Sequence, residues 1–147
     1  MTIPVTIKGQ CNKMNPLPTN ITATLAAWPK LATDRFHQIR ETVFIVAKRD
    51  DVGRLIETLK WGQPSWLPEQ PRVGTTLRCN WTQARPDHLS LFVNCQTNLL
   101  ETVKTIYPKD FEYDGKRALH LDLHKPLPMD AIEHCAALTL RYHRKTA

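Results

Sequence analysis

Hydrophobic positions recur at helical spacing in two neighbouring stretches. In ITATLAAW, the apolar residues Ile21, Leu25 and Trp28 fall on one helical face, and Pro29 ends the helix. The next stretch, LATDRFHQIRETVFIVAK, has apolar residues at spacings of four and three. This spacing predicts a longer helix with one buried face and a charged face opposite to it. The residues predicted to be buried in it are Ala32, Phe36, Ile39, Val43 and Val46.

Alternation of apolar and polar residues predicts an antiparallel hairpin from Gly74 to Asn94. The segments VGTTLRCNW and HLSLFVN alternate with a period of two and are separated by the turn-forming QARPD. One face of the hairpin should therefore be buried. The residues predicted to face inward are Thr75, Leu77, Cys79, Trp81, Leu89, Leu91 and Val93, with Thr76, Arg78 and Asn80 facing the other way.

Two further helices are predicted from their end signals. Asn98 with Glu101 resembles a capping box for the helix NLLETVKTIY, which Pro108 ends. The last helix follows Pro128. Its predicted inner residues are Ala131, Cys135, Leu138 and Tyr142. The segment from Val52 to Lys60 is compatible with either a short helix or a strand.

The segment DFEYDGKRALHLDL predicts a second hairpin. A two-residue turn at Asp114 and Gly115 would mix its apolar and polar faces. A three-residue loop from Asp114 to Lys116 instead keeps the faces apart. The pairs predicted by this longer loop are Tyr113 with Arg117, Phe111 with Leu119 and Asp110 with His120.

These elements together predict an α+β fold in which helices pack on one face of a mostly antiparallel sheet. The chain has 147 residues, of which 41% are hydrophobic and 23% charged, which is typical of one globular domain. We predict a leader over residues 1–20 and a single domain over residues 21–147.

The charges and cysteines suggest a cytoplasmic protein. The net charge of +6 is spread along the chain and interleaved with acidic residues, so nucleic-acid binding is not expected without a concentrated patch. There is no signal-like start and no stretch of about 20 apolar residues. The four cysteines form no CxxC pair, which favours reduced thiols. They are Cys11, Cys79, Cys95 and Cys135.

The stretch LKWGQPSW is the strongest candidate for a ligand-binding site. Gly62 permits backbone conformations closed to other residues, and Pro64 stiffens the chain. One interpretation is a shallow pocket with two indole walls, in which Gln63 and Ser65 offer hydrogen bonds. The alternative is that both indoles are buried in the core. The candidate residues are Trp61, Gly62, Gln63, Pro64, Ser65 and Trp66.

The stretch HLDLH is a weaker candidate for a metal site. On a strand, His120, Asp122 and His124 share a face, and the predicted hairpin places Asp110 opposite His120. Imidazole and carboxylate groups suit iron or zinc. However, alternate residues of a strand lie about 7 Å apart, so the same pattern is typical of a solvated edge.

No motif indicates catalysis. The sequence lacks GxSxG, HExxH and a glycine-rich phosphate loop. His134 and Cys135 are adjacent on a predicted helix and point to different faces, so they do not form a dyad. We therefore predict no catalytic residues and no cofactor.

Several segments resemble the YdhG-like domain of unknown function of bacteria. They are LAAWP, the long helix, ETLKWGQPSW, VGTTLRCNW, HLSLFVN and GKRALHLDLHKPLPMDAIEHC, spanning Ile21 to Arg144. The W-G-x-P-S-aromatic stretch and the KPLP turn carry most of the resemblance. It implies a small cytosolic α+β domain similar to frataxin, and at least one member is regarded as an iron chaperone.

The long helix departs from the acidic ridge by which frataxins bind iron. It carries Arg35, Arg40 and further cations against only Asp34 and Glu41. Such a face repels hard cations. The sequence therefore predicts a non-enzymatic module that binds a small ligand or a protein. Iron or zinc handling is the first alternative, and an enzyme that acts on a small ligand in the tryptophan pocket is the second.

Overall fold

The computed structural model describes residues 16–144. Cys11 and most of the predicted leader lie outside these residues. The first helix begins at Thr19.

Residues 16–144 form four helices and six strands. The helices are α1 Thr19–Leu25, α2 Lys30–Arg49, α3 Leu99–Ile106 and α4 Met129–Leu140. The strands are β1 Leu55–Lys60, β2 Gln63–Pro68, β3 Leu77–Asn80, β4 His88–Phe92, β5 Glu112–Asp114 and β6 Ala118–Asp122.

All six strands belong to one open sheet in the order β1-β2-β3-β4-β6-β5. Every neighbouring pair is antiparallel. The helices cover only one face of this sheet, because their buried residues share a single core with one alternating set of strand residues. The predicted α+β class is confirmed. The core residues from the strands are Trp66, Leu77, Cys79, Leu89, Leu91, Leu119 and Leu121.

We call the other side of the sheet the open face. It carries the alternate positions of paired strands. Ser65 is opposite Arg78, Arg78 is opposite Phe92, and Ser90 is opposite His120. None of these residues belongs to the core cluster.

The helical pattern of α2 is confirmed. The segment from Val52 to Lys60, which the sequence left open between helix and strand, contains a strand. All five residues predicted to be buried in α2 have no exposed surface. Leu55 to Lys60 forms β1 and pairs along its whole length with β2. Pairing with a neighbouring strand therefore decides the conformation that the local pattern left open.

The second hairpin has the predicted loop length but a different register. Its loop comprises residues 115–117, because Asp114 pairs with Ala118, and Glu112 rather than Asp110 is opposite His120. The predicted register, with Asp110 opposite His120, is therefore wrong by two residues. The faces are unchanged by this shift, since side chains alternate with a period of two. Gly115 at φ +65° suits the start of the loop.

Two helix details also differ from the prediction. Asn98 precedes α3 but makes no side-chain cap, and Thr97 Oγ1 accepts the Leu99 N–H at 3.2 Å instead. Leu138 of α4 is only partly buried, and Tyr142, also partly buried, lies beyond the end of α4 at Leu140. Because α4 packs against α2, α3 and β3 together, its buried surface is broader than one stripe. It also includes Ile132, Ala136, Thr139 and Leu140.

Gly74 brings the start of the β3 segment against the end of α4. Thr75 N–H donates to Thr139 O at 2.9 Å, and His143 N–H donates to Val73 O at 3.0 Å. A Cβ atom on Gly74 would lie 2.0 Å from Leu140 O. The close approach of the two backbones therefore requires glycine at this position.

Trp66 connects β2 to α2 through stacking and a charged hydrogen-bond network. Its side chain has no exposed surface and stacks on Phe36 with 5.7 Å between ring centroids. Its Nε1 donates to Glu57 Oε2 at 2.8 Å. Arg40 donates two hydrogen bonds, of 2.5 and 2.7 Å, to the same carboxylate. The network satisfies the polar atom of the most voluminous core side chain.

We expect Glu57→Ala to lower the free energy of unfolding by about 3 kcal/mol, because it leaves the partly buried Arg40 and the Trp66 indole N–H without this acceptor. Urea denaturation followed by tryptophan fluorescence measures the loss. Asp34→Ala removes an exposed carboxylate from α2 and should change stability by less than about 1 kcal/mol. Equal effects of the two substitutions would contradict the role of the network.

Candidate functional site

Trp61 is the most exposed large hydrophobic residue among those described. It occupies the two-residue turn between β1 and β2, because Lys60 pairs with Gln63. Its side chain is 88% exposed. Trp61 and Gly62 have φ values of +56° and +73°, as the two central residues of a type I′ turn require.

The conformation of Trp61 is unfavourable for its residue type. A positive φ is uncommon for residues other than glycine, asparagine and aspartate, and it costs of order 1 kcal/mol or more. The exposed indole recovers little of this cost by packing. Gly62, by contrast, suits its position. Folding alone therefore does not account for a tryptophan at position 61.

A shallow concavity of about 240 Å³ lies beside this turn. We call it the Trp61 concavity. Four separate chain segments form it: the β1–β2 turn, the start of β3, the segment after β4 and the residue before β6. Its lining residues are Lys60, Trp61, Thr75, Thr76, Arg78, Asn94, Cys95 and Arg117.

The Trp61 concavity is lined by three cations and no carboxylate. Lys60 Nζ donates to Thr76 Oγ1 at 3.4 Å, which ties the turn to the β3 segment. The Arg78 guanidinium lies over the Phe92 ring, 5.5 Å from its centroid. Burial, and after it the positive charge of Arg117, lowers the pKa of Arg78. Both causes indicate a positive charge that is incompletely solvated and repelled by its neighbour.

These cations lack carboxylate partners within residues 16–144. None of the ion pairs found there includes Lys60, Arg78 or Arg117. Asn94 and the Thr76 hydroxyl add polar groups to the lining. The concavity therefore presents a positive field and hydrogen-bond donors beside a flat aromatic ring.

The predicted pocket with two indole walls does not form, because its two tryptophans have different environments. Trp66 is in β2 and points into the core, as the alternative interpretation expected for both residues. Ser65 is buried and donates to Thr58 O at 3.0 Å. Pro64 is also buried and Gln63 half-buried within the same strand. Of the six candidate residues from Trp61 to Trp66, Trp61 alone lines the concavity.

Most of the residues that line this site were not predicted from the sequence. Lys60, Arg78, Cys95 and Arg117 lie far apart along the chain. The one available signal was the alternation of β3, which places Arg78 on the face opposite the core. The pairing of β3 with β4 and of β4 with β6 was needed to bring the segments together.

The four candidate metal ligands are not brought together. His120 contacts Ser90 and Asp114. His124 lies in the turn after β6, where its Nε2 is 3.0 Å from Asp87 Oδ1. Asp122 Oδ1 accepts the His124 backbone N–H at 2.8 Å. Within residues 16–144 there is no group of three or more His, Cys, Asp or Glu residues arranged to hold a metal ion.

His120 instead forms a buried polar network on the open face. Its Nδ1 lies 2.6 Å from Ser90 Oγ, and its Nε2 lies 3.4 Å from Asp114 Oδ2. Burial lowers the pKa of His120, which favours the neutral ring. A carboxylate only accepts hydrogen bonds, so the ring proton belongs on Nε2 and Nδ1 accepts from the Ser90 hydroxyl.

The Ser90, His120 and Asp114 side chains follow the hydrogen-bonding order of a nucleophile, a base and an orienting carboxylate. Ser90 is 8% exposed and His120 is 5% exposed. Neither residue lines the Trp61 concavity. The network therefore has the hydrogen-bonding order of a relay and is separate from that concavity.

Comparisons with known proteins gave no relatives. No protein-family model matches the chain. No curated protein and no solved structure matches it either. The resemblance to the YdhG-like domain therefore stays a prediction. None of the helices in the described part of the chain is long and apolar enough to cross a membrane.

We expect Trp61→Asn to raise the free energy of unfolding by about 1 kcal/mol, because asparagine tolerates a positive φ better than tryptophan does. Chemical denaturation followed by circular dichroism measures this gain without relying on tryptophan emission. Gly62→Ala is the matched change in the same turn and should lower stability by about 1 kcal/mol. A loss of stability in Trp61→Asn would show that the indole contributes to the fold.

The lowered pKa of His120 predicts a loss of stability in acid. The unfolded chain binds a proton near pH 6.5 while folded His120 resists it, so stability falls as the pH drops below about 6.5. The charged groups near the ring are Asp114, Glu112 and Arg85.

We expect His120→Gln to show a shallower decline of unfolding free energy between pH 7 and pH 5 than the parent chain, measured by urea denaturation at each pH. Part of the decline should remain, because burial also lowers the pKa of His37. His124→Gln is the control, since Asp87 raises the pKa of His124 and makes its contribution opposite in sign. Identical slopes for His120→Gln and the parent would contradict the assignment.

Proposed function

We propose that this protein is a non-enzymatic binding module that takes an anionic ligand in the Trp61 concavity. The observation that supports this most directly is the set of Lys60, Arg78 and Arg117 beside an exposed indole, without a lining carboxylate. Like charges gathered in this way disfavour the empty state, and an anion between them relieves the repulsion.

Hydrogen bonding supports an anion rather than a neutral ligand. Guanidinium groups donate in a planar fork that matches carboxylate and phosphate oxygens. The Phe92 ring under Arg78 holds one such fork in position. The lining residues include neither histidine nor a carboxylate that could act as a general base, which favours binding over catalysis.

Other concavities of the described residues are less suited to an anion. One of about 750 Å³ includes Glu101 beside Lys104 and Lys116. In another, of about 550 Å³, Arg141 already pairs with Asp50 at 3.6 Å. Their positive charges are thus partly compensated within the protein itself.

We also propose that the protein is cytoplasmic and that it belongs to the YdhG-like family. Cys79 and Cys135 are free and buried, and burial raises the pKa of both thiols. Unpaired, inert thiols are typical of proteins in a reducing compartment. The proposal does not extend to iron or zinc, for which the weak candidates Asp110, His120, Asp122 and His124 form no common cluster among residues 16–144.

Titration with inorganic pyrophosphate at constant ionic strength tests the proposal. We expect saturable shifts of the Arg78 and Arg117 side-chain N–H signals in nitrogen-edited NMR spectra. Arg117→Gln should weaken binding by roughly tenfold, since a charged hydrogen bond contributes about 1.5–3 kcal/mol. Lys109→Gln removes an exposed cation outside the lining and should leave binding unchanged. Non-saturable shifts, or equal weakening by both substitutions, would rule out a site in the concavity.

A further inference from the structure

The exposed position of Trp61 indicates that the ligand has a flat group in addition to its negative charge. A simple anion site needs cations and N–H groups, and it gains little from an indole that is 88% exposed. The indole is nevertheless held at φ +56° in a tight turn, where asparagine would suit the backbone better. An exposed ring on a rigid turn next to cations is suited to stacking with a flat partner.

The size of the Trp61 concavity indicates that it holds one part of a ligand. Its volume of about 240 Å³ is below the range of roughly 300–1,000 Å³ typical of pockets that enclose a small molecule. A ligand of ordinary small-molecule size would therefore extend beyond it. The open face adjoins it through Arg78, with Phe92 opposite Arg78 and Asn80 further along β3.

The charge distribution in three dimensions differs from that along the chain. In the sequence, cations and carboxylates are interleaved, and this interleaving argued against a nucleic-acid partner. Folding gathers Lys60, Arg78 and Arg117 into one lining that contains no acidic residue. Such a concentrated patch next to an aromatic ring is the electrostatic footprint expected for phosphate-bearing chains and nucleotides.

We infer that the Trp61 concavity binds a nucleotide unit, with the base stacked on the Trp61 indole and a phosphate held by Arg78 and Arg117. This inference rests on the proposed function and specifies its ligand. Lys60, tied to Thr76, adds a third charge beside the turn. Phosphate and base could be supplied by a free nucleotide or by one unit of a single strand, because both present the same groups.

The decisive experiment compares inorganic pyrophosphate with a nucleoside diphosphate, which carries the same anion plus a sugar and a base. Binding is followed by the same NMR signals in the parent, Trp61→Phe and Trp61→Leu proteins. We expect the nucleoside diphosphate to bind the parent roughly tenfold or more tighter than pyrophosphate, which is the increment expected from stacking. Trp61→Phe should keep most of this increment and Trp61→Leu should lose it.

Pyrophosphate binding is measured in every variant as well, and the ratio of the two affinities reports the increment due to the base in each of them. This ratio separates the two proposals. If neither ligand binds the parent, the proposed anion site fails and the inference fails with it. If pyrophosphate binds but the nucleoside diphosphate gains nothing, or gains equally in Trp61→Leu, the anion site stands and the nucleotide inference is overturned.

A second arm identifies the source of the nucleotide. A short single-stranded oligonucleotide and a duplex of the same sequence are titrated at several salt concentrations. Tighter binding of the single strand than of the nucleoside diphosphate, weakening with salt, supports a strand laid along the open face. Equal affinities for the strand and the free nucleotide support a one-nucleotide site. A preference for the duplex contradicts base stacking on Trp61, because paired bases cannot reach the indole.

The exposed thiol of Cys95 gives an independent readout at the same place. Cys95 is exposed and lines the concavity, whereas Cys79 and Cys135 are buried. In a Cys11→Ser background, the bound nucleotide should slow alkylation of Cys95 in proportion to the occupancy found by NMR. Unchanged alkylation at saturating nucleotide would place the ligand elsewhere and overturn the inference.

Discussion

The burial of Trp66 is the constraint on which the arrangement of β1, β2 and α2 depends. Its ring stacks on Phe36, and its N–H reaches the Glu57 carboxylate that Arg40 also holds. An indole of this size can be buried without cost only if its N–H finds an acceptor. The network thereby sets which face of β2 points inward. It also sets the register of the β1–β2 hairpin, in which Glu57 is directly opposite Trp66.

The same register places Trp61 in the turn, with no core to enter. The hairpin has Lys60 opposite Gln63, so the two residues between them must both take positive φ values. Glycine at position 62 is favourable there and tryptophan at position 61 is not. Local strain and exposed apolar surface that folding does not require are characteristic of functional positions. Two tryptophans five residues apart along the chain thus have unrelated physical roles.

The electrostatics of the Trp61 concavity follow from strand pairing rather than from local composition. Arg78 faces away from the core because Leu77 and Cys79 face into it, and Phe92 supports it from the neighbouring strand. Arg117 directly precedes β6, and its charge helps to lower the pKa of Arg78. No carboxylate in the lining offsets the repulsion between the two guanidinium groups. The polar network at His120, by comparison, satisfies its own hydrogen bonds and leaves less for a ligand to complete.

Periodicity in the sequence alone determined α1, α2 with its buried face and the inward residues of β3 and β4, because burial of one face imposes a repeat on each element. End signals in the sequence placed α3 and α4. Only the tertiary structure decided three features. They are the strand conformation of Leu55 to Lys60, the register with Glu112 opposite His120, and the different environments of Trp61 and Trp66. Each depends on a partner distant in sequence. Shifting a strand pair by two residues preserves every local pattern, so no local signal can select the register.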